Sequence, residues 1–131
     1  GIRDLVRSRG LGDVYKRQLD GRVVYHLAAG ADPAMNPCSD YIQTVEMVPD
    51  HSLDVCVVGG PRRAECCLAS VLKLKAGGGL LVLADADRYL SHDGELTTTD
   101  ARWDHVVWRL GPWRQIWTRN GTSEAVIFVA P

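Results

Sequence analysis

The chain has 131 residues, with 15 Lys and Arg against 16 Asp and Glu, and a formal net charge of −1. Residues 1–18 carry a net charge of +3, so residues 19–131 carry −4. A mildly acidic chain argues against charge-driven binding of nucleic acid. No apolar run approaches the roughly 18 residues that a membrane-spanning helix needs. We therefore expect a cytoplasmic protein whose partners include neither nucleic acid nor a membrane.

The first eighteen residues are predicted to differ in origin from the rest of the chain. Residues 8–18, SRGLGDVYKRQ, match one reading frame of a common transposon-based sequencing adaptor. The alternatives are a basic arm for nucleic acid or a targeting peptide, although the segment lacks the apolar core and cleavage pattern of a secretory signal. We predict that residues 1–18 are not native and exclude them from fold reasoning. Residues 19–131 then suffice for one small domain.

The next elements are short. Arg22–Ala28 is rich in β-branched and aromatic residues and predicts a strand. Gly30–Asn36 contains Gly, Asp, Pro and Asn and predicts a loop. Ser39 or Asp40 is a candidate cap for a short helix that continues to Met47.

The clearest pattern is a strand–helix–strand unit. Leu53–Val58, LDVCVV, is almost continuously apolar and predicts a strand that is buried on both faces. Apolar residues three or four positions apart predict a helix from Arg62 to Lys75. Gly77–Gly79 ends this helix, and Leu80–Leu83 predicts a second buried strand. The length of about 30 residues is typical of a right-handed parallel crossover.

The pattern changes in the C-terminal third. Asp87–Asp100 is polar and irregular, and His105–Leu110 predicts a strand. Trp113–Thr118 and Glu124–Val129 are expected to pair as a hairpin, with Asn120-Gly121 as the turn. The fold class is therefore α/β, with a mixed sheet whose parallel strands are followed by an antiparallel C-terminal hairpin at one edge.

Residues 54–88 resemble a segment of the class I S-adenosylmethionine-dependent methyltransferases. In that family a strand ends in Asp-Gly, Arg and Cys follow on the next helix, and a glycine pair precedes an apolar strand with an acidic end. The corresponding residues here are Val57-Val58-Gly59-Gly60, Arg63, Cys66, Gly78-Gly79-Leu80-Leu81-Val82-Leu83 and Ala84-Asp85-Ala86-Asp87-Arg88. The resemblance implies a Rossmann-like sheet, S-adenosylmethionine as cofactor and a small-molecule methyl acceptor.

The chain departs from the family pattern in three places. Residues 19–131 contain no GxGxG loop, on which the family places its cofactor. Gly59 and Ala84 each stand where the family has an acidic residue. Sequencing error and real loss of function both remain open for these two positions. We expect residues 19–131 to be an N-terminally truncated methyltransferase domain that binds the cofactor poorly by itself.

The candidate site follows from the sheet. Ligands in open α/β sheets bind outside the carboxyl ends of the parallel strands, and the helix N-terminus near Arg62 points at the same crevice. Arg62 or Arg63 could bind a carboxylate through two hydrogen bonds. Alternatively, Arg63 braces the loop and Asp87-Arg88 is a surface ion pair. Our assignment is cofactor binding by Gly59, Gly60 and Arg63, and substrate binding by Asp85, Asp87 and Arg88.

No metal site is expected, because Asp85 and Asp87 alone supply too few ligands. The histidines and cysteines show no zinc-ligand spacing, and the cysteines are interpreted as buried reduced thiols. Four C-terminal tryptophans predict an aromatic cluster: Trp103, Trp108, Trp113 and Trp117. We expect it to serve core packing and to cover the sheet edge, and a wall of the substrate site is the alternative.

Two classes of function remain open at this point. The first is a methyltransferase whose parent protein acts on an unidentified acceptor. The second is a non-catalytic, degenerate α/β domain that acts in assembly or in binding a small ligand. A dehydrogenase-like Rossmann enzyme is less well supported, since no GxGxxG motif with a distant acidic residue is present. A truncated sheet would also leave an open edge through which the chain could form a homo-oligomer.

Overall fold

A computed structural model describes residues 40–131 of the chain. The segment assigned to the adaptor, the predicted strand Arg22–Ala28 and the predicted loop Gly30–Asn36 all lie outside the described residues.

Three helices and four strands make up residues 40–131. The helices are α1 (Asp40–Glu46), α2 (Arg63–Ser70) and α3 (Arg102–Leu110). The strands are β1 (Val55–Val58), β2 (Leu80–Leu83), β3 (Arg114–Arg119) and β4 (Glu124–Val129). Short 3₁₀ turns occupy Val71–Lys73 and Ala86–Arg88. None of the helices in this part of the chain is long and apolar enough to cross a membrane.

The strands form one sheet in the order β1-β2-β4-β3. β1 and β2 are parallel, with Cys56 beside Leu81 and Val58 beside Leu83. β4 runs antiparallel to β2 on one side and to β3 on the other. The predicted α/β class, the parallel crossover and the C-terminal hairpin are therefore confirmed. The hairpin's second strand lies inside the sheet, which leaves β3 as the edge strand.

One face of the sheet carries the core. Residues at alternate positions of the strands are buried there against α2 and α3 in a single apolar cluster. The fully buried members from the sheet are Leu81, Leu83, Val126 and Phe128. Since side chains alternate across a strand, this pattern sets the register of every strand pair.

On the opposite face of the sheet, the side chains of β1 are more exposed to solvent than the sequence predicted. Val57 is 67% exposed and Val55 is also exposed, whereas Val58 is buried. The predicted burial on both faces is therefore wrong for β1 within residues 40–131. β1 lies at an edge of the described sheet, so its outward residues meet solvent. Leu53 is not part of the strand but forms an isolated parallel bridge with Leu74.

The helices show one confirmation, one shortening and one correction. The short helix predicted from Ser39 or Asp40 is confirmed as α1. The helix predicted to reach Lys75 ends as an α-helix at Ser70 and continues as the 3₁₀ turn. The strand predicted at His105–Leu110 is wrong, because this segment belongs to α3.

The reason for the error at α3 is visible in its burial. Trp103, Val106 and Leu110 are buried, while Asp104 and His105 are exposed. A spacing of three and four residues places the buried side chains on one helical face. The predicted strand began at His105 and left out Trp103, whose spacing from Val106 and Leu110 indicates a helix.

The ring contacts of the tryptophans within residues 40–131 are with other aromatic residues and not with each other. Trp103 stacks on Tyr89 with ring centroids 4.2 Å apart. Trp117 stacks on His92 with centroids 4.4 Å apart. Trp108, on the outer face of α3, is 80% exposed. Core packing is therefore confirmed for Trp103, which is buried, and for Trp113 and Trp117, which are partly buried against the core, but not for Trp108.

The described cysteines are unpaired thiols, as predicted. Cys66 and Cys67 are buried on α2, and Cys56 is half-buried. Burial raises the pKa of Cys66 to about 11, and it also raises the pKa of Cys67. A raised pKa keeps both groups in the thiol form at neutral pH, in which they react slowly.

Two substitutions on α3 test the assignment of its buried face. Trp103→Ala should lower the free energy of unfolding by about 3–5 kcal/mol, because it empties a large buried site. Trp108→Ala, on the exposed face, should change it by no more than about 0.5 kcal/mol. Urea unfolding followed by circular dichroism measures both. Equal losses would contradict the helical register.

Candidate functional site

The carboxyl ends of β1 and β2 lie side by side. The Ala84 amide donates to the Val58 carbonyl over 3.0 Å. A Cβ placed on Gly59 would lie 3.5 Å from the Cβ of Ala84. The structure therefore brings together the two segments, after β1 and after β2, in which the sequence placed the site.

Arg63 joins these two strand ends. Its Nη2 donates to the Gly59 carbonyl over 2.9 Å and its Nε donates to the Gly60 carbonyl over 3.1 Å. Its Nη1 donates to the Ala84 carbonyl over 3.2 Å. Nη2 also lies 3.5 Å from a carboxylate oxygen of Asp85. One guanidinium thus bridges the ends of two parallel strands.

These contacts limit what else Arg63 can bind. A guanidinium has five N–H groups, and four of them are directed at Gly59, Gly60, Ala84 and Asp85. The side chain is only 13% exposed. This is the bracing role that the sequence left open. A ligand carboxylate would have to replace Asp85 to be held through two hydrogen bonds, so the role of Arg63 in cofactor binding remains a prediction.

Asp85 occupies a strained position. It has a φ of 51°, in the left-handed region that side chains other than glycine rarely adopt. Arg62, which follows the end of β1, has a φ of 56°. Both strand ends therefore turn through a left-handed residue. Such strain persists only where the surroundings enforce it, and it is concentrated at functional sites.

Arg62 is directed into the protein. Its side chain is almost fully buried, and Nη2 lies 2.7 Å from a carboxylate oxygen of Glu65. Glu65 also pairs with Arg102, which in turn pairs with Asp100. This ionic chain connects α2 to the start of α3, so the role of Arg62 in the described structure is structural.

Asp87 and Arg88, the other predicted site residues, take no part in the hydrogen bonds and the ion pair of Arg63. Asp87 accepts a hydrogen bond from the Glu124 amide over 3.0 Å, which fastens the segment after β2 to the start of β4. Arg88 is exposed and forms no ion pair with any residue in the range 40–131. The alternative of an Asp87–Arg88 ion pair is therefore not what the structure contains.

Sequence reasoning missed a second polar group on this edge. The His92 ring stacks on Trp117, and its Nε2 contacts the Glu124 carboxylate. His92 was set aside because the histidines show no ligand spacing. Its partners lie 25 and 32 positions further along the chain, so only the packing of the segment after β2 against β3 and β4 reveals the group.

Neither a metal-binding group of side chains nor, between α3 and the sheet, a cavity of substrate size is seen within residues 40–131. Across residues 40–131, no three His, Cys, Asp or Glu side chains are grouped so that they could hold a metal ion. A cavity of about 20 Å³ lies between α3 and the sheet, lined by Val106, Val107 and Phe128 among others. That volume holds about one water molecule and is too small for a substrate.

Comparisons of the chain with family models, with curated proteins and with solved structures gave no match.

Arg63→Lys tests the brace. A lysine ammonium cannot reproduce the planar fork, so at least one of the three carbonyls should lose its donor. We expect a loss of about 1–3 kcal/mol in the free energy of unfolding. Arg88→Lys, at an exposed position, should change it by about 0.5 kcal/mol or less. If the two variants unfold at the same urea concentration, Arg63 does not brace the edge.

Gly59→Ala tests whether the backbone requires glycine where the methyltransferase family has an acidic residue. The φ of Gly59 lies outside the left-handed region, and an added Cβ would make only ordinary contact with Ala84. The variant should therefore unfold within about 1 kcal/mol of the parent chain.

Gly79→Ala is the matched control. Its Cβ would lie 2.6 Å from the Lys75 carbonyl oxygen and 2.9 Å from the Lys75 nitrogen. It should cost about 1–3 kcal/mol. A larger loss for Gly59→Ala than for Gly79→Ala, measured in the same urea series, would show that glycine is required at the end of β1.

Proposed function

We propose that this chain is part of an S-adenosylmethionine-dependent methyltransferase whose parent protein methylates a small-molecule acceptor. The observation that supports this proposal is the parallel β1–α2–β2 crossover, whose glycine and aspartate ends are held at one edge by Arg63. Crevices at such carboxyl ends are where open α/β sheets bind ligands. In methyl transfer the protein chiefly positions two reactants, so few catalytic side chains are required.

The antiparallel C-terminal strands β3 and β4 are consistent with the same proposal. β4 is antiparallel to β2 and follows β3 through a hairpin. An antiparallel ending is also a feature of the family that residues 54–88 resemble. Many α/β folds share a crossover, so this agreement supports the fold more strongly than the chemistry.

The residues of this chain do not by themselves fit the cofactor. Gly59 and Gly60 leave the ends of the strands open to a ligand, but Arg63 is already directed at protein acceptors. Residues 19–131 lack the glycine loop that would hold the donor. We therefore infer that this chain supplies one wall of the site and is inactive alone. The unpaired thiols favour a reducing, cytoplasmic environment.

A non-catalytic assembly or ligand-binding domain is the second candidate. Two observations favour it. Gly59 and Ala84 replace the family's acidic residues, and Arg63 is committed to bonds within the protein. In that case the brace serves stability only, and the edge of β1 that has no strand partner within residues 40–131 could pair with another chain.

Calorimetric titration with S-adenosylhomocysteine distinguishes the candidates. We expect no micromolar binding by this chain, because the glycine loop is missing, and micromolar binding by the product of the complete reading frame at the same locus. NAD serves as the control ligand and should not bind this chain, which contains no GxGxxG motif.

Each other outcome is informative. Micromolar binding by this chain would show that it does not lack the cofactor part. A complete product that fails to bind would contradict the methyltransferase proposal and favour the assembly domain. Codons for Asp at positions 59 and 84 in the resequenced locus would attribute Gly59 and Ala84 to sequencing error.

A further inference from the structure

We propose that His92 and Glu124 form a proton-accepting pair on the carboxyl edge of the sheet, which deprotonates a hydroxyl or amino group of an acceptor bound there. This inference rests on the proposed function for the identity of its substrate. It assigns a chemical role to residues outside the Gly59–Arg63 and Asp85–Arg88 segments.

The geometry of the pair leaves one imidazole nitrogen available. His92 Nε2 contacts Oε2 of Glu124. Within residues 40–131, no group forms a hydrogen bond to Nδ1 of this ring. His92 is 63% exposed, whereas the Glu124 side chain is mostly buried. The carboxylate is thus the fixed partner, and the free nitrogen belongs to the more accessible residue.

The ring itself is held in place from a second direction. It stacks on Trp117 with a centroid distance of 4.4 Å and an angle of 25° between the planes. A stacked ring with one nitrogen bound to a carboxylate has a defined orientation and a defined tautomer. An exposed histidine that formed only an ion pair would lack the stacking restraint.

The pair lies beside the candidate site. Glu124 is the first residue of β4, which pairs with β2. Its amide donates to Asp87, in the segment that follows β2. Two charged groups therefore face Glu124 in addition to His92: the Asp87 carboxylate near its backbone and Arg119, whose Nη2 is 3.8 Å from Oε1. Arg119 contacts the other oxygen and leaves Oε2 to His92.

The chemistry is a single proton transfer. A carboxylate that accepts the Nε2–H bond favours the tautomer in which Nδ1 carries a lone pair. The O–H or N–H proton of the acceptor moves to Nδ1, and the acceptor atom keeps the bonding electron pair as its nucleophilic lone pair. The imidazolium that forms is stabilised by the Glu124 carboxylate, as in other histidine–carboxylate pairs. Loss of that proton to solvent restores His92.

Acylation by diethyl pyrocarbonate tests the reactivity that this role requires. The reagent attacks an unprotonated imidazole nitrogen, and His105, exposed on α3, is a control in the same chain. At about pH 8, above the ordinary histidine pKa of about 6.5, peptide mass spectrometry should show His92 modified several-fold faster than His105. Glu124→Gln should slow His92 to the rate of His105 and leave His105 unchanged.

Long-range ¹H–¹⁵N spectra supply a second measurement. They should show His92 with the proton on Nε2 in the parent chain and a mixture of tautomers in Glu124→Gln. Equal acylation rates for the two histidines, or a proton on Nδ1 of His92 in the parent chain, would overturn the proposal. Neither measurement uses cofactor or acceptor, so its failure is distinguishable from failure of the binding test with S-adenosylhomocysteine.

Discussion

The Arg63 fork is the interaction on which the candidate site depends. A parallel pair of strands ends in carbonyl groups that have no partner within the sheet, and buried carbonyls without donors are costly. Arg63 supplies donors to three of them and is paired with Asp85 as well. Arg63 therefore fixes the ends of β1 and β2 relative to each other, and the left-handed turn at Asp85 is held by a charged partner.

The same edge has two parts with different properties. Around Arg63 the polar groups bond to each other, and the guanidinium side chain itself is only 13% exposed. Around His92 an imidazole ring is exposed and is oriented by Trp117 and Glu124. Asp87 connects the two parts through its bond to the start of β4. Structural support and chemical reactivity are thus assigned to neighbouring but separate groups of residues.

Sequence reasoning succeeded where the signal was local. Leu80–Leu83 was predicted with its observed bounds because an apolar run follows three glycines. The prediction of a strand at His105–Leu110 failed because the helical spacing of the buried residues becomes visible only when Trp103, just before this segment, is included. The acceptors of Arg63 are backbone carbonyls, which leave no trace in the residue types. The His92–Glu124 contact joins the segment after β2 to the start of β4 across 32 positions, and local propensities do not determine such a contact.

The position of β4 inside the sheet constrains how the protein folds during its synthesis. β3 leaves the ribosome before β4, yet its only strand partner among residues 40–131 is β4. The edge of β2 that does not pair with β1 likewise remains unpaired until β4 has been synthesised. Until that strand emerges, two strands expose unpaired backbone, a state that favours association with other nascent chains or with chaperones. Because the hairpin contacts are local, the hairpin should form rapidly and dock onto β2 as one unit.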